Sequence, residues 1–239
     1  MSELVLYGTR PGWETPDFSP FVIKLETWLR LAGVAYERQR GLPPQAPRGK
    51  VPYVLVDGQK LGDSQMIIEH LVQTRGVTLD EGMTPMERAT ARAVRRMLEE
   101  GTYFVALRTR WLEDDGWAIQ YPAFSVMVPG FLAPLALPFI RSSVRKSAMA
   151  QGIGRYTRDE VMAMGVSDIE AVATILGDHR YLLGEAPRSV DATVFAFLWA
   201  IQGHPGKTPI HDAARAPKLV AYVERIKGQY FPLTAVVPS

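Results

Sequence analysis

The segment from Lys50 to Ser64, KVPYVLVDGQKLGDS, restricts the fold of this chain more than any other. Residues 51–56 are rich in β-formers, and Pro52 is tolerated at the entrance of a strand because no ladder donor is needed there. Asp57-Gly58 is a strong two-residue hairpin turn, since glycine accepts a positive φ without steric cost. Residues 59–61 then form a short return strand. The segment therefore predicts a β-hairpin.

A helix and a polar pocket are expected directly after this hairpin. Residues 65–72 carry apolar side chains at helical spacing, and Asp63 or Ser64 can cap their N-terminus. At a helix N-terminus an aspartate can hold an ammonium group, while a serine hydroxyl and free N–H groups can hold a carboxylate. If the bond before Pro52 is cis, the Val51 backbone turns outward and can pair with a peptide-like ligand. The alternative is an ordinary hairpin and capped helix without a ligand.

The preceding residues complete the order of elements of a small α/β domain. Leu4–Tyr7 predicts a first strand and Val34–Arg38 a second. Between them, Ser19-Pro20 supplies a favoured N-cap followed by proline at the first helical position, and Gly33 closes the helix. The order β-α-β, loop, β-β-α is that of a thioredoxin-like domain, which we place at residues 1–76.

The second half of the chain predicts a domain made of helices, at residues 84–239. Thr84–Glu87 is a capping box with proline at the first helical position, and we expect a helix from there to about Asp115. Thr157–Glu160 and Ser167–Glu170 are two further capping boxes, each expected to begin a helix. The predicted fold class is therefore α/β plus all-α.

Residues 121–140, YPAFSVMVPGFLAPLALPFI, form the most apolar stretch of the chain. The stretch is about long enough to span a bilayer, but four prolines and a glycine interrupt it, so a single spanning helix is not expected. We predict a proline-kinked buried helix or a lid over a cleft. A membrane-surface role is the less favoured alternative, because exposed apolar patches mark contact sites.

Charge and composition narrow the classes of function. The net charge is +2 and the 27 lysines and arginines are spread along the chain, so no nucleic-acid partner is indicated. The absence of cysteine excludes disulfides, cysteine-ligated metals and thiol redox chemistry on the protein. The four histidines lack metal-ligand spacing, so we expect no metal and place these side chains at the surface or in caps. The N-terminus lacks the basic and apolar regions of a signal peptide, which predicts a cytoplasmic protein.

Motifs along nearly the whole chain resemble those of the glutathione transferase superfamily. The first half contains Val51-Pro52, Asp63-Ser64 and the segment SPFV at 19–22, which lies where glutaredoxins and omega-type transferases carry Cys-Pro-Phe/Tyr-Cys. The second half contains RMLEE at 96–100, RW at 110–111, QGIGR at 151–155 and SVDATVF at 189–195. In this order the motifs are similar to the branch that includes failed-axon-connections and metaxin-like proteins.

This resemblance implies glutathione as a cosubstrate. Asp63-Ser64 would hold its γ-glutamyl group, and the backbone at Val51-Pro52 would pair with its cysteinyl unit. Either Lys50 or Lys24 would meet the glycine carboxylate.

Ser19 is the residue to which the resemblance assigns catalysis. A serine cannot form a mixed disulfide, but it can donate a hydrogen bond to a glutathione thiolate at a helix N-terminus, where the dipole adds positive potential. A serine that only caps the helix is the alternative. Tyr7, at the end of the first strand, is a second candidate for activating the thiol.

The resemblance also implies a small hydrophobic electrophile as the second substrate. The aromatic residues expected around it are Trp13, Phe21, Tyr103 and Trp111, and Phe21 is also expected beside glutathione. Tyr103 and Trp111 equally fit a hydrophobic core, which is their alternative interpretation.

The predicted function is therefore a serine-type glutathione transferase that acts without a metal. The alternative is a non-catalytic adaptor with the same fold, because several members of this branch are thought to be adaptors or membrane-import components, and fold does not determine function. The resemblance further implies a homodimer. It also implies a buried structural role for Asp191, with Arg188 at the position where the superfamily usually has serine or threonine.

Overall fold

The computed structural model describes residues 4–232, so the outer ends of the two predicted domains, residues 1–3 and 233–239, lie outside the described residues. A four-stranded mixed sheet, in the order β2-β1-β3-β4, occupies the first part of the chain. Its strands are β1 (Leu4–Gly8), β2 (Glu37–Arg40), β3 (Tyr53–Val56) and β4 (Gln59–Gly62). β1 is parallel to β2 and antiparallel to β3, and β3 is antiparallel to β4. The predicted thioredoxin-like fold is confirmed.

Two helices, α1 (Pro20–Leu31) and α2 (Ser64–Arg75), cover one face of this sheet. Side chains alternate between the two faces along a strand, so every second residue of β1 faces the helices. Leu6 of β1 joins Trp28 of α1 and Ile67 of α2 in one buried apolar cluster. This cluster fixes both helices against the sheet and so fixes their N-termini.

The strand register brings three segments of the predicted site to one end of the sheet. Tyr53 is paired with Tyr7 on one side and with Gly62 on the other. Pro52 therefore enters β3, and Asp63 leaves β4, at the end of the sheet where β1 stops and the loop to α1 begins. The positions of these segments follow from strand pairing alone.

The remaining described chain is mostly helical. Its helices are α3 (Pro85–Arg96), a π-helical turn (Met97–Thr102), α4 (Tyr103–Trp111), α5 (Asp114–Ser125), α6 (Ala133–Gln151), α7 (Arg158–Leu176), α8 (Ser189–Gly203), α9 (Pro209–Ala214) and α10 (Pro217–Tyr230). α8 is buried from Val190 to Ile201 and packs against α1. The predicted division at residues 76–84 falls in the segment between α2 and α3.

Asp191 lies in the first turn of α8 and is fully buried. Its carboxylate accepts hydrogen bonds of 2.8 Å from the backbone N–H groups of Leu182 and Arg188, and one of 2.7 Å from the Tyr222 hydroxyl. The bond to Arg188 needs only that residue's backbone, so the missing serine or threonine leaves this half of the capping box intact. Asp191 thus joins the start of α8 to α10 and to the preceding loop.

Two predicted helix boundaries are wrong. The helix expected to reach Asp115 ends at Trp111, and a new helix begins at Asp114, because acidic residues suit a helix N-terminus. Ser167–Glu170 begins no helix, since it lies inside α7. The buried face of α7 extends on both sides of this segment, and tertiary packing outweighs the local capping signal.

The prediction of a buried helix at residues 121–140 is also wrong. The segment contains the end of α5, a turn and the beginning of α6. Its side chains at Phe131, Leu135 and Phe139 are 82%, 76% and 76% exposed. Pro134 lies in the first turn of α6, so this proline helps to start a second helix instead of kinking one. Within residues 4–232, no helix has both the length and the apolar character needed to cross a membrane.

Candidate functional site

Asp17 holds the start of α1 in place. It is fully buried, and its carboxylate accepts hydrogen bonds from the Ser19 backbone N–H (2.8 Å) and from the N–H and hydroxyl of Thr9 (2.7 and 2.6 Å). It also forms an ion pair of 2.8 Å with Arg38. Burial raises the pKa of the Asp17 carboxyl to about 6 despite these donors. A buried side chain, instead of the loop alone, therefore positions Ser19.

Ser19 occupies the N-cap position of α1, but its side chain makes no capping hydrogen bond. The Ser19 carbonyl accepts hydrogen bonds from the N–H groups of Val22 and Ile23. Within residues 4–232 the hydroxyl has no hydrogen-bond partner, and the residue lines a cavity. Ser19 therefore lies at the N-cap position, but its hydroxyl does not cap the helix. This hydroxyl stands at the positive end of a helix, where it can meet an anion.

The cavity beside Ser19 has a volume of about 260 Å³ and lies between α1 and the helices of the second part. Trp13, Tyr103 and Trp111, which the sequence placed around an electrophile, all line it. Phe21 packs on Tyr103 with 5.0 Å between ring centroids, so it supports a wall of the cavity. The structure therefore brings Ser19 together with these three aromatic residues in a space suited to a small apolar molecule.

Two polar residues that sequence reasoning missed also line this cavity. Arg110 donates a hydrogen bond of 3.0 Å to the carbonyl of Ala200 and lies over the ring of Trp13 at 5.5 Å. Burial lowers its pKa to about 10, and no carboxylate within residues 4–232 forms an ion pair with it. Gln120 is 2% exposed, and its amide oxygen has no partner in the same part of the chain. The sequence signals for Arg110 were the RW motif at 110–111 and its place in an aromatic-rich helix.

His204 lies against Trp13 and both His204 and His211 are buried, so a surface position is wrong for them, whereas His204 does occupy the C-cap position of α8. The rings of Trp13 and His204 are 4.4 Å apart, and the two histidine rings stack at 5.4 Å. Burial, followed by the positive charge of Arg110, lowers the pKa of His204 to about 2 and that of His211 to about 4. Both rings are therefore neutral, and Nδ1 of His204 accepts a hydrogen bond of 2.9 Å from the Gly206 N–H, while Nδ1 of His211 lies 2.8 Å from the Thr208 hydroxyl. Across the described chain, no three His, Cys, Asp or Glu side chains are grouped to hold a metal ion.

The predicted glutathione-binding residues lie at the end of the sheet and the start of α2. The Val51-Pro52 bond is cis. Asp63 is exposed, has a φ of +80°, and accepts hydrogen bonds of 3.0 Å from the N–H groups of Gln65 and Met66 through one carboxylate oxygen. Non-glycine residues with positive φ are uncommon and concentrate at functional sites. Ser64 is 5% exposed, and the second oxygen of Asp63 remains available to a cation.

Two of the sequence candidates have other tasks in the structure. Lys24 is 1% exposed and donates hydrogen bonds to Glu99 (2.5 Å) and Gln65 (3.0 Å), so the idea that it meets the glycine carboxylate is not supported. Lys50 is exposed and remains the candidate for that contact. Tyr7, the alternative to Ser19, stacks on Tyr53 at 4.5 Å and does not line the cavity.

Comparison with known families matches both parts of the chain. Residues 20–116 match the family described as the glutathione S-transferase N-terminal domain, and residues 165–226 match the glutathione S-transferase C-terminal domain. Among solved structures, a beta-etherase from Sphingobium sp. is similar over 94% of both chains, with a TM-score of 0.62 and 21% identity. Glutathione S-transferase III in its apo form is similar over 99% of this chain and 98% of its own, with a TM-score of 0.60 and 17% identity. These structures share the fold.

Sequence relatives are of two kinds. The isoprene-epoxide–glutathione S-transferase of Rhodococcus sp. is 32% identical over 95% of this chain and 99% of its own length. Failed axon connections of Drosophila melanogaster is 26% identical over 91% of this chain, which spans 55% of that relative's length. Human metaxin-2 is 23% identical over 78% of this chain and 72% of its own. The chain therefore belongs to the glutathione S-transferase family, within the branch that has failed axon connections and the metaxins among its members.

Proposed function

We propose that this protein is a serine-type glutathione transferase that adds the glutathione thiolate to a small hydrophobic electrophile. The observation that carries the proposal is the Ser19 hydroxyl, which has no partner within residues 4–232 and lines an apolar cavity at the N-terminus of α1. A hydroxyl there donates a hydrogen bond to a thiolate, and the helix dipole favours the same negative charge. Both effects lower the pKa of the bound thiol, which makes more thiolate available to attack.

Glutathione would lie along the end of the sheet with its thiol directed at Ser19. The free oxygen of Asp63 would take the γ-glutamyl ammonium, and Ser64 with the N-terminus of α2 would take the adjacent carboxylate. The Val51 backbone would pair with the cysteinyl unit, and Lys50 would meet the glycine carboxylate. The strand register supports this arrangement, since it gathers Pro52, Asp63 and the loop to α1 at one end of the sheet.

The cavity would receive the electrophile. Its volume of about 260 Å³ suits a small molecule, and its aromatic walls exclude water from the reacting atoms. The relative from Rhodococcus is named for an epoxide substrate, which makes small epoxides the first acceptors to try. We place the protein in the cytoplasm and expect a homodimer, which sedimentation of the purified chain would test.

The test is a pH titration of thiolate absorbance in bound glutathione, followed by an assay for the thioether product. Ser19→Ala should raise the thiol pKa and lower kcat by roughly 10²-fold, the effect of losing one donor to a developing anion. Ser142→Ala, an exposed serine on α6, is the matched control and should behave as wild type. Equal thiol pKa values and rates in Ser19→Ala and wild type would remove the proposal.

A second candidate function, a non-catalytic adaptor, is favoured by one observation. Phe131, Leu135 and Phe139 are more than three-quarters exposed, which is unusual for large apolar side chains and typical of contact surfaces. An adaptor would require these residues and would be indifferent to Ser19→Ala. Replacement of all three by serine should then abolish partner capture, whereas a transferase should keep its rate.

A further inference from the structure

We propose that Arg110 is a catalytic residue that donates a hydrogen bond to the oxygen leaving the attacked carbon, and that the electrophile is therefore a small epoxide. This inference rests on the proposed transferase function. It adds a second catalytic group, on α4, to the Ser19 hydroxyl that lines the same cavity.

Holding the Arg110 guanidinium partly away from water costs free energy when no anion lies beside it. Its neighbour on α4, Arg108, pairs with Glu113, and Arg141 on α6 pairs with Asp114. Arg110 has no such partner within residues 4–232, although it is half-buried and lines the cavity beside aromatic side chains. Partial removal of a cation from water without an anion beside it costs free energy, so this position suits an anion that is present during function.

The contacts of Arg110 leave part of its guanidinium free. Nη2 donates to the Ala200 carbonyl, and the ring of Trp13 lies against the carbon of the group. No other hydrogen bond to Arg110 is formed by the described residues, although a guanidinium has five N–H groups. These two contacts orient the side chain, and the remaining N–H groups can meet a substrate oxygen in the cavity.

Epoxide opening supplies the missing anion. The thiolate sulfur forms a bond to a ring carbon, the carbon–oxygen bond breaks, and its electron pair becomes an alkoxide. Arg110 stabilises this charge as it develops and keeps its own proton, because its pKa of about 10 is above neutral pH. The alkoxide then takes one proton from solvent, which balances the proton that the glutathione thiol released on forming the thiolate. The unpartnered amide oxygen of Gln120 can accept a hydrogen bond from the resulting hydroxyl.

The experiment compares two electrophiles of equal chain length, butene oxide and butyl iodide, with wild type, Arg110→Met and Arg110→Lys. Oxygen is a strong hydrogen-bond acceptor and iodide a weak one. In Arg110→Met, kcat for the epoxide should fall on the order of 10²-fold, while kcat for the iodide changes within about threefold. Arg110→Lys should recover part of the epoxide rate, since a charge returns without the planar fork.

Controls separate this role from a structural one. Arg92→Met removes an exposed arginine of α3 and should leave both rates unchanged. The thiol pKa of bound glutathione should be equal in wild type and Arg110→Met. A raised thiol pKa in Arg110→Met, an equal loss of both rates, or no loss of the epoxide rate would overturn the role of Arg110. Wild type that converts the iodide but not the epoxide would overturn the substrate class. Wild type that converts neither would instead contradict the transferase function itself.

Discussion

The Asp17 carboxylate accepts a hydrogen bond of 2.8 Å from the backbone N–H of Ser19, two residues along the chain. An N-cap side chain accepts from N–H groups of the first helical turn, and here the Val22 N–H donates to the Ser19 carbonyl, so the Ser19 side chain makes no capping hydrogen bond. The same carboxylate is anchored to Thr9 and Arg38, so the start of α1 is tied to the end of β1 and to β2. This relationship fixes the backbone of Ser19 at the start of α1, and the Ser19 hydroxyl has no hydrogen-bond partner within residues 4–232.

Asp17→Asn should destabilise the protein and weaken catalysis together. The amide has one acceptor oxygen where the carboxylate has two, and Arg38 loses its charged partner, so we expect a loss of about 2–4 kcal/mol in the free energy of unfolding. Chemical denaturation measures it. Asp114→Asn is the matched control, because the Asp114 side chain is 98% exposed in its ion pair with Arg141 and should contribute less than about 0.5 kcal/mol. Equal effects of the two substitutions would contradict this role for Asp17.

The buried pair of Lys24 and Glu99 should contribute to the connection between the two parts of the chain. Lys24 of α1 is 1% exposed, and Glu99 belongs to the π-helical turn, where Arg95 also binds it. Glu99→Gln leaves a buried ammonium without its anion and should cost about 3–5 kcal/mol. The double variant Lys24→Met/Glu99→Gln should cost less than the sum of the single changes.

A double-mutant cycle in urea checks this coupling. The exposed pair of Glu224 and Lys227 on α10 provides the control cycle, with a coupling energy of about 0.5 kcal/mol or less. Additive effects for Lys24 and Glu99 would show that the buried pair contributes no coupling.

The neutral state of His204 and His211 should make stability depend on pH. Folding lowers their pKa values from 6.5 to about 2 and about 4, so below 6.5 the unfolded chain binds more protons than the folded one. Their contribution to stability is therefore present at neutral pH and is lost as the pH falls from 6.5 towards 4. Each buried histidine contributes a slope of up to about 1.4 kcal/mol per pH unit in this window.

Comparison of wild type with His211→Asn isolates this slope. Asp17 acts in the opposite direction, because its raised pKa of about 6 favours the folded state as the pH falls, so the wild-type slope alone is not diagnostic. Unfolding free energies measured at about pH 7, 6 and 5 should show a shallower acid loss in the variant. Parallel pH profiles would mean that His211 is protonated in the folded protein.

The sequence predicts the fold well because its signals are local and agree with one another. The structure confirms the backbone conformations that three local signals predict, namely the DG turn, the glycine and proline positions, and the capping box at Thr84. The helix start predicted at Ser167–Glu170 was wrong because a capping signal is weaker than the continuous buried face of α7. The buried helix predicted at residues 121–140 was wrong because hydrophobicity alone does not determine whether a side chain packs in the core or lies at the surface.

The chemistry of the cavity was only partly predictable. Ser19, Trp13 and Trp111 line the cavity and were visible in the sequence as a motif and as aromatic residues, and their roles stay predictions. Arg110 and Gln120 were missed and the burial of His204 and His211 was not foreseen, because the burial and partners of a side chain depend on packing between distant segments. Lys24 was misassigned for the same reason, since its partner Glu99 is far along the chain.

The central claim is that glutathione binds at the start of α2 through the charge of Asp63, and calorimetric titration of wild type and Asp63→Asn tests it most directly. Asparagine can still cap α2 through its oxygen, so stability should change by less than about 0.5 kcal/mol. Loss of the carboxylate should weaken glutathione binding roughly 10- to 100-fold, the effect of one charge-assisted hydrogen bond. No heat of binding by wild type at millimolar glutathione, or equal affinity in the two proteins, would contradict the account.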